Sequence, residues 1–154
     1  MEQLLHDYEH GPSQLQDALQ GLTDKDFDRK PISGQWSIRQ VVCHLADFEP
    51  VYADRIKRVL VEDNPTILAG DPDVFAAGLR YDRRCVHEEL QLIRVVRKQM
   101  LRILRDLDLE DLQRTGVHSA DGPLTLETLL ERITAHVPHH LSFITAKIAV
   151  MRSA

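Results

Sequence analysis

Cysteine is scarce in this chain. Only Cys43 and Cys85 occur in 154 residues, too few for a disulfide framework, and both fall within apolar helical patterns where a free thiol is expected to pack as a small hydrophobe. Long apolar runs are missing too: none approaches the ~20 residues that span a bilayer. The N-terminus opens with Glu2 and Asp7 instead of a basic and then apolar leader, so the expectation is a cytoplasmic protein without membrane contact. Nor is positive charge in excess, since 19 Lys and Arg stand against 24 Asp and Glu, a formal net charge of −5. Binding to a phosphate backbone needs a basic surface or a concentrated basic patch, and nucleic acid is therefore not an expected partner. The arginines alternate with acids along helical segments, the pattern of a solvated face.

The chain also lacks internal repeats, low-complexity stretches and any convincing alternating strand. What it has instead is a globular balance, 43% hydrophobic and 28% charged, in a length that suits one domain over residues 1–154.

Apolar residues recur at helical spacing in four long segments. The first, about residues 2–21, carries Leu4, Leu5, Tyr8, Leu15, Ala18 and Leu19 and is interrupted by Gly11-Pro12. A kink is expected there, or a restart with Pro12 in a new first turn. A short helical turn is expected at Thr23-Asp24-Lys25-Asp26, and loop at 30–34. The second helix begins at Ser37, which stands in capping-box spacing with Gln40, while Trp36 and Val41 occupy the staple positions. Its stripe runs Ile38, Val41, Leu45, Phe48, Tyr52, Ile56, Val59, with His44 at its inward edge, and Pro50 is expected to bend it by freeing the Ala46 carbonyl. Asp71-Pro72 opens a short helix to about Leu79. The third long helix is expected from Arg83 to Leu107, and residues 108–124 form a connector. Thr125 caps the fourth helix, whose stripe is Leu126, Leu130, Ile133, Val137, Leu141, Ile144, Ile148. Four amphipathic helices of this kind point to an all-α four-helix bundle.

One stretch carries chemistry: Thr134-Ala135-His136-Val137-Pro138-His139-His140. His136 and His140 are four residues apart on a helix, so both rings leave one face at a separation that a single ion can bridge. A third ligand must come from elsewhere in the fold, and His44 is the candidate. Against this stands the plainer reading, that histidines at helical spacing are surface or hydrogen-bonded edge-of-core residues. Cys43 adjoins His44 but projects ~100° away on a helix and is not taken as a ligand. Pro138, between the two histidines, should kink the helix at the site.

Several stretches in order resemble the DinB-like metal-binding four-helix bundles, a group that includes the YfiT-like proteins. They are Gly34-Gln35-Trp36-Ser37 leading into His44-Leu45-Ala46-Asp47, then Val61 to Thr66, Arg114-Thr115-Gly116-Val117-His118, Gly122 to Leu126, and His136 to His140. The resemblance covers nearly the whole chain. It implies up-down-down-up topology with a long crossover between the second and third helices, assembly as a homodimer, and a divalent ion held by His44, His136 and His140. Zinc or nickel is the leading ion, manganese or iron the alternative. His139 is expected to face solvent or to support a ligand. His118 is expected to make a structural hydrogen bond or belong to the site, and Asp47 to be a solvated carboxylate, a ligand or a residue orienting one.

Three neutral imidazoles leave an ion with an open position and undiminished charge, able to acidify bound water or thiol. The resemblance therefore implies a small-molecule enzyme that activates a low-molecular-weight thiol, as an S-transferase, or water, as a hydrolase. The alternative from another class is a non-catalytic metal-binding stress-response protein.

Overall fold

A computed structural model describes residues 1–153. Six α-helices follow in chain order: α1 (Glu2–Ala18), α2 (Asp24–Asp28), α3 (Ile38–Val61), α4 (Pro72–Gly78), α5 (Val86–Leu104) and α6 (Leu126–Ser153). The four long ones, α1, α3, α5 and α6, form the bundle. Helix α3 packs on α5 and α6, and α1 packs on the same two from the other side. Two apolar clusters give the directions. Tyr8 shares one with Ile56, Val59, Leu104, Leu126 and Leu130; Leu15 and Leu19 share the other with Ile38, Val41, Val86, Leu90, Ile144 and Ile148. The beginnings of α1 and α6 thus lie beside the ends of α3 and α5, which is up-down-down-up topology, and the connection from α3 to α5 is the crossover.

Local chemistry starts the helices where their sequence signals stand. Ser37 Oγ accepts from the Gln40 backbone N–H at 3.3 Å while Gln40 Oε1 accepts from the Ser37 N–H at 3.0 Å, a complete capping box. Thr23 and Asp26 do the same for α2. Asp71 Oδ1 accepts from the N–H groups of Asp73 and Val74 with Pro72 in the first turn, and Thr125 Oγ1 accepts from Thr128 N–H at 3.1 Å.

Several boundaries differ from the sequence expectation. Helix α1 neither restarts at Pro12 nor reaches residue 21; it runs continuously through the proline to Ala18. The carbonyl that Pro12 cannot bond, that of Tyr8, accepts instead from Arg97 Nη1 at 2.7 Å, so a tertiary donor replaces the lost helical one. Helices α3 and α6 likewise continue through Pro50 and Pro138. Helix α5 is shorter than the periodicity suggests. A 3₁₀ turn at Tyr81–Arg83 follows the positive φ of Arg80 (54°), and Arg84 is extended.

The 108–124 connector is not all loop. A small sheet forms from β1 (Thr66–Ile67), β2 (Thr115–His118) and β3 (Gly122–Thr125), in which β1 pairs parallel and β3 antiparallel to β2. Two- and four-residue strands are too short to show an alternating pattern, and this sheet owes its place to its seat at the end of α3. Gly116 is obligatory there, because a Cβ would come within 2.8 Å of Val59 Cγ2 and 3.1 Å of the Pro65 carbonyl oxygen. Pro123 sits on the edge strand, where no ladder donor is required. Cys43 is buried as expected, but Cys85 is exposed at the start of α5, because that helix begins later than its apolar pattern.

Candidate metal centre

Helix α3 supplies His44 and helix α6 supplies His136 and His140. Across the interface of the two helices the three rings meet. Their candidate ligand atoms all lie within 4.8 Å of one another, and ring centroids are 4.7–4.8 Å apart in all three pairs. His44 Nε2 and His136 Nε2 are 2.9 Å apart. Two imidazole nitrogens at that distance share one proton, or each gives its lone pair to an ion. Helix α6 is unbroken at Pro138, and this keeps His136 and His140 one turn apart on the same face.

The surroundings hold these rings neutral. Burial lowers the pKa of His44 to about 4, with Asp47 and Asp73 opposing. Burial, reinforced by His44 and His140, lowers that of His136 to about 2. The same combination of burial and neighbouring charge brings His140 to about 3. A neutral imidazole has a free lone pair, the form a metal ion binds. The donor set therefore fits a divalent ion. His44 Nδ1 and His136 Nδ1 are buried and have no hydrogen-bond partner among the described residues, so apolar packing and not a carboxylate orients these rings. Trp36 and Phe48 do this for His44, with centroids at 5.4 and 4.6 Å.

Asp47, His118 and His139 are not among the converging ligand groups. Asp47 is a salt-bridge partner of Arg84, at 2.8 Å; Arg84 also grips Glu89, and the Asp47 carboxylate is thereby committed. His118 lies on β2, where its Nδ1 accepts from the N–H groups of Ala120 and Asp121 and closes the hairpin turn. His139 is exposed, its ring against those of His140 and Phe143 at 5.1 and 5.0 Å.

The sequence reading assigned no site role to four residues that the fold brings to this region. Asp73, on α4, is exposed, makes no side-chain hydrogen bond among the described residues, and is near enough for its charge to act on His44. A cavity of about 280 Å³ beside His140 is lined also by Gln35, Phe143 and Lys147, with Trp36 and Val41. Lys147 was detectable in principle: it follows His140 by seven residues, two turns along the same helical face.

The sequence pattern of the DinB superfamily matches residues 7–144. The chain belongs to the DinB superfamily. A relative in Oceanobacillus iheyensis is 30% identical over 142 residues, covering 92% of this chain and 82% of its own. One in Bacillus cereus shows the same identity and coverage, and both are named, provisionally, as metal-dependent hydrolases. The solved structure of YfiT from Bacillus subtilis superposes with a TM-score of 0.91 at 27% identity, over 97% of this chain and 86% of that one; it is described as a probable metal-dependent hydrolase with an unusual four-helix bundle topology. This DinB-superfamily chain shares that bundle. Its histidine triad, together with the names of its relatives, suggests a divalent metal as the occupant of the site.

Proposed function

We propose that this protein is a metal-dependent enzyme in which His44, His136 and His140 hold one divalent cation, with zinc or nickel the leading candidates. The observation that carries this reading is the convergence of three neutral imidazoles from two helices on one point, His44 buried and His136 and His140 half-buried. A bound cation supplies Lewis-acid activation of a coordinated water or thiol at neutral pH. The protein's own residues do the rest. Trp36 and Phe48 fix the His44 ring and keep bulk water from it, and the 280 Å³ cavity beside His140 receives the substrate.

In the hydrolytic reading a water proton has to leave, and of the two carboxylates whose field reaches His44, Asp47 is tied to Arg84. Asp73, exposed on α4 and without a side-chain hydrogen bond among the described residues, is the remaining carboxylate and the candidate proton acceptor. The relatives' names support this reading. The thiol S-transferase reading is supported by the same scarcity of unengaged carboxylates around the triad, since a thiol held by the cation would be acidified enough to release its proton to solvent.

Elemental analysis of wild type beside folded His44→Ala, His136→Ala and His140→Ala variants tests the site. Near one equivalent of metal is expected in wild type, at least a tenfold loss of affinity in the triad variants, and none in His6→Ala. Equal metal in His6→Ala and His136→Ala would remove the assignment. Turnover of ester and amide panels without thiol, lost in Asp73→Asn, supports hydrolysis. Turnover of electrophiles only with added thiol, unaffected by that variant, supports transfer.

A further inference from the structure

Lys147 is the unusual residue of the cavity. It is 2% exposed, yet no carboxylate among the described residues pairs with it; its Nζ donates to Gln35 Oε1 at 2.9 Å and to the Phe143 carbonyl at 3.5 Å. The Phe143 ring lies beneath it, 5.8 Å from Nζ to centroid. A buried ammonium without a counter-ion opposes stability. Two other buried cations have carboxylate partners, Arg97 on Glu49 and Arg39 on Asp28, while Arg55 donates to the Leu68 carbonyl. Lys147 instead lines a cavity that His140 also lines, and burial lowers its pKa from the ordinary lysine value, a cost that an arriving anion would offset.

The remaining walls are Trp36, Val41 and Phe143, a surface for an apolar body. The polar donors are few: one ammonium and the side-chain amide of Gln35. They suit a single negative charge spread over two oxygens and not a phosphate dianion.

Resting on the proposed metal centre, we propose that Lys147 is a substrate-binding residue and that the ligand class of this cavity is a small monocarboxylate with an apolar, aryl-sized body. Its carboxylate pairs with Lys147 and Gln35, its body lies between Trp36 and Phe143, and the rest of the molecule extends past His140 to the triad.

Trp36 is the single tryptophan of the chain, so its fluorescence reports occupancy without any reaction. The full-length protein, both metal-loaded and after chelation, is titrated with phenylacetate, its neutral isostere phenylacetamide, and phenyl phosphate. Saturable quenching by phenylacetate is expected in both forms, at least tenfold tighter than by the amide and tighter than by phenyl phosphate. Lys147→Met, which keeps the aliphatic stem, is expected to weaken phenylacetate about tenfold while leaving amide binding and metal content unchanged.

Equal binding of acid and amide in wild type, no saturable quenching, or tighter phosphate binding would overturn the proposal without recourse to a variant. Metal-free wild type that still discriminates acid from amide, in a protein that never takes up metal, would uphold this inference and defeat the metal reading. Bound metal without discrimination would do the reverse.

Discussion

At the scale of single residues, the triad histidines titrate differently in the folded and the unfolded chain, and they do so in the mildly acidic range. Unfolded, each takes its proton near the ordinary value of 6.5; folded, burial lowers His44 to about 4, His140 to about 3 and His136 to about 2. The sign follows directly. Above about pH 6.5 the rings are neutral in both states and contribute no pH dependence. As pH falls from 6.5 towards 4, the unfolded chain binds protons that the folded one refuses, and stability drops by up to ~1.4 kcal/mol per pH unit for each ring. Chelated wild type is therefore expected to lose melting temperature steadily between about pH 6.5 and pH 4.5, with a shallower slope in His140→Asn. Identical slopes in the two proteins would show that the triad is not held neutral by the fold.

At the scale of elements, one arginine joins all four long helices. Arg97 of α5 donates Nε and Nη2 to Glu49 Oε1 of α3 at 2.9 and 2.6 Å, Nη1 to the Tyr8 carbonyl of α1 at 2.7 Å, and Nη2 to the Ile133 carbonyl of α6 at 3.1 Å. Gly11 permits this approach, since a Cβ there would stand 2.5 Å from Arg97 Nη1. The pair is almost wholly buried, 1% and 0% exposed. Desolvation raises the Glu49 pKa in spite of Arg97, so the pair is not a simple source of stability. Removing one partner leaves a buried charge alone: Arg97→Met is expected to destabilise by ~3–5 kcal/mol in urea titrations. The double variant Arg97→Met/Glu49→Gln should recover part of that loss. An Arg97→Met protein as stable as wild type would refute the bolt.

At the scale of the whole molecule, an ion held by the triad would also clasp α3 to α6. An ion that binds only the folded state adds RT ln(1 + [L]/Kd), ~2.7 kcal/mol at a hundredfold excess over Kd. Zinc or nickel added to chelated wild type should thus raise the melting temperature, and the same addition to His44→Ala should leave it unmoved. No upward shift in wild type would mean that the three rings do not act together. Among the described residues, no helix is long and apolar enough to cross a membrane, in keeping with four long amphipathic helices that bury one face each in the bundle.

The sequence by itself determined the local parts. Ser37 with Gln40, Asp71 with Pro72, and Thr125 start helices because capping is decided within one turn. The apolar stripes chose the inward faces, and the four-residue spacing of His136 and His140 put both rings on one face. Resemblance to a known family supplied the topology and put His44, already the candidate third ligand, into the implied ligand set. The tertiary structure decided the rest. It brought His44 of α3 onto the pair from α6. It engaged Asp47 with Arg84 and Glu49 with Arg97, set Lys147 beside an apolar cavity, supplied Arg97 to the carbonyl that Pro12 released, and folded part of the 108–124 connector into a hairpin. The physical reason is range: capping and periodicity act over a turn or two of one helix, whereas these outcomes depend on which groups other helices bring within hydrogen-bonding distance.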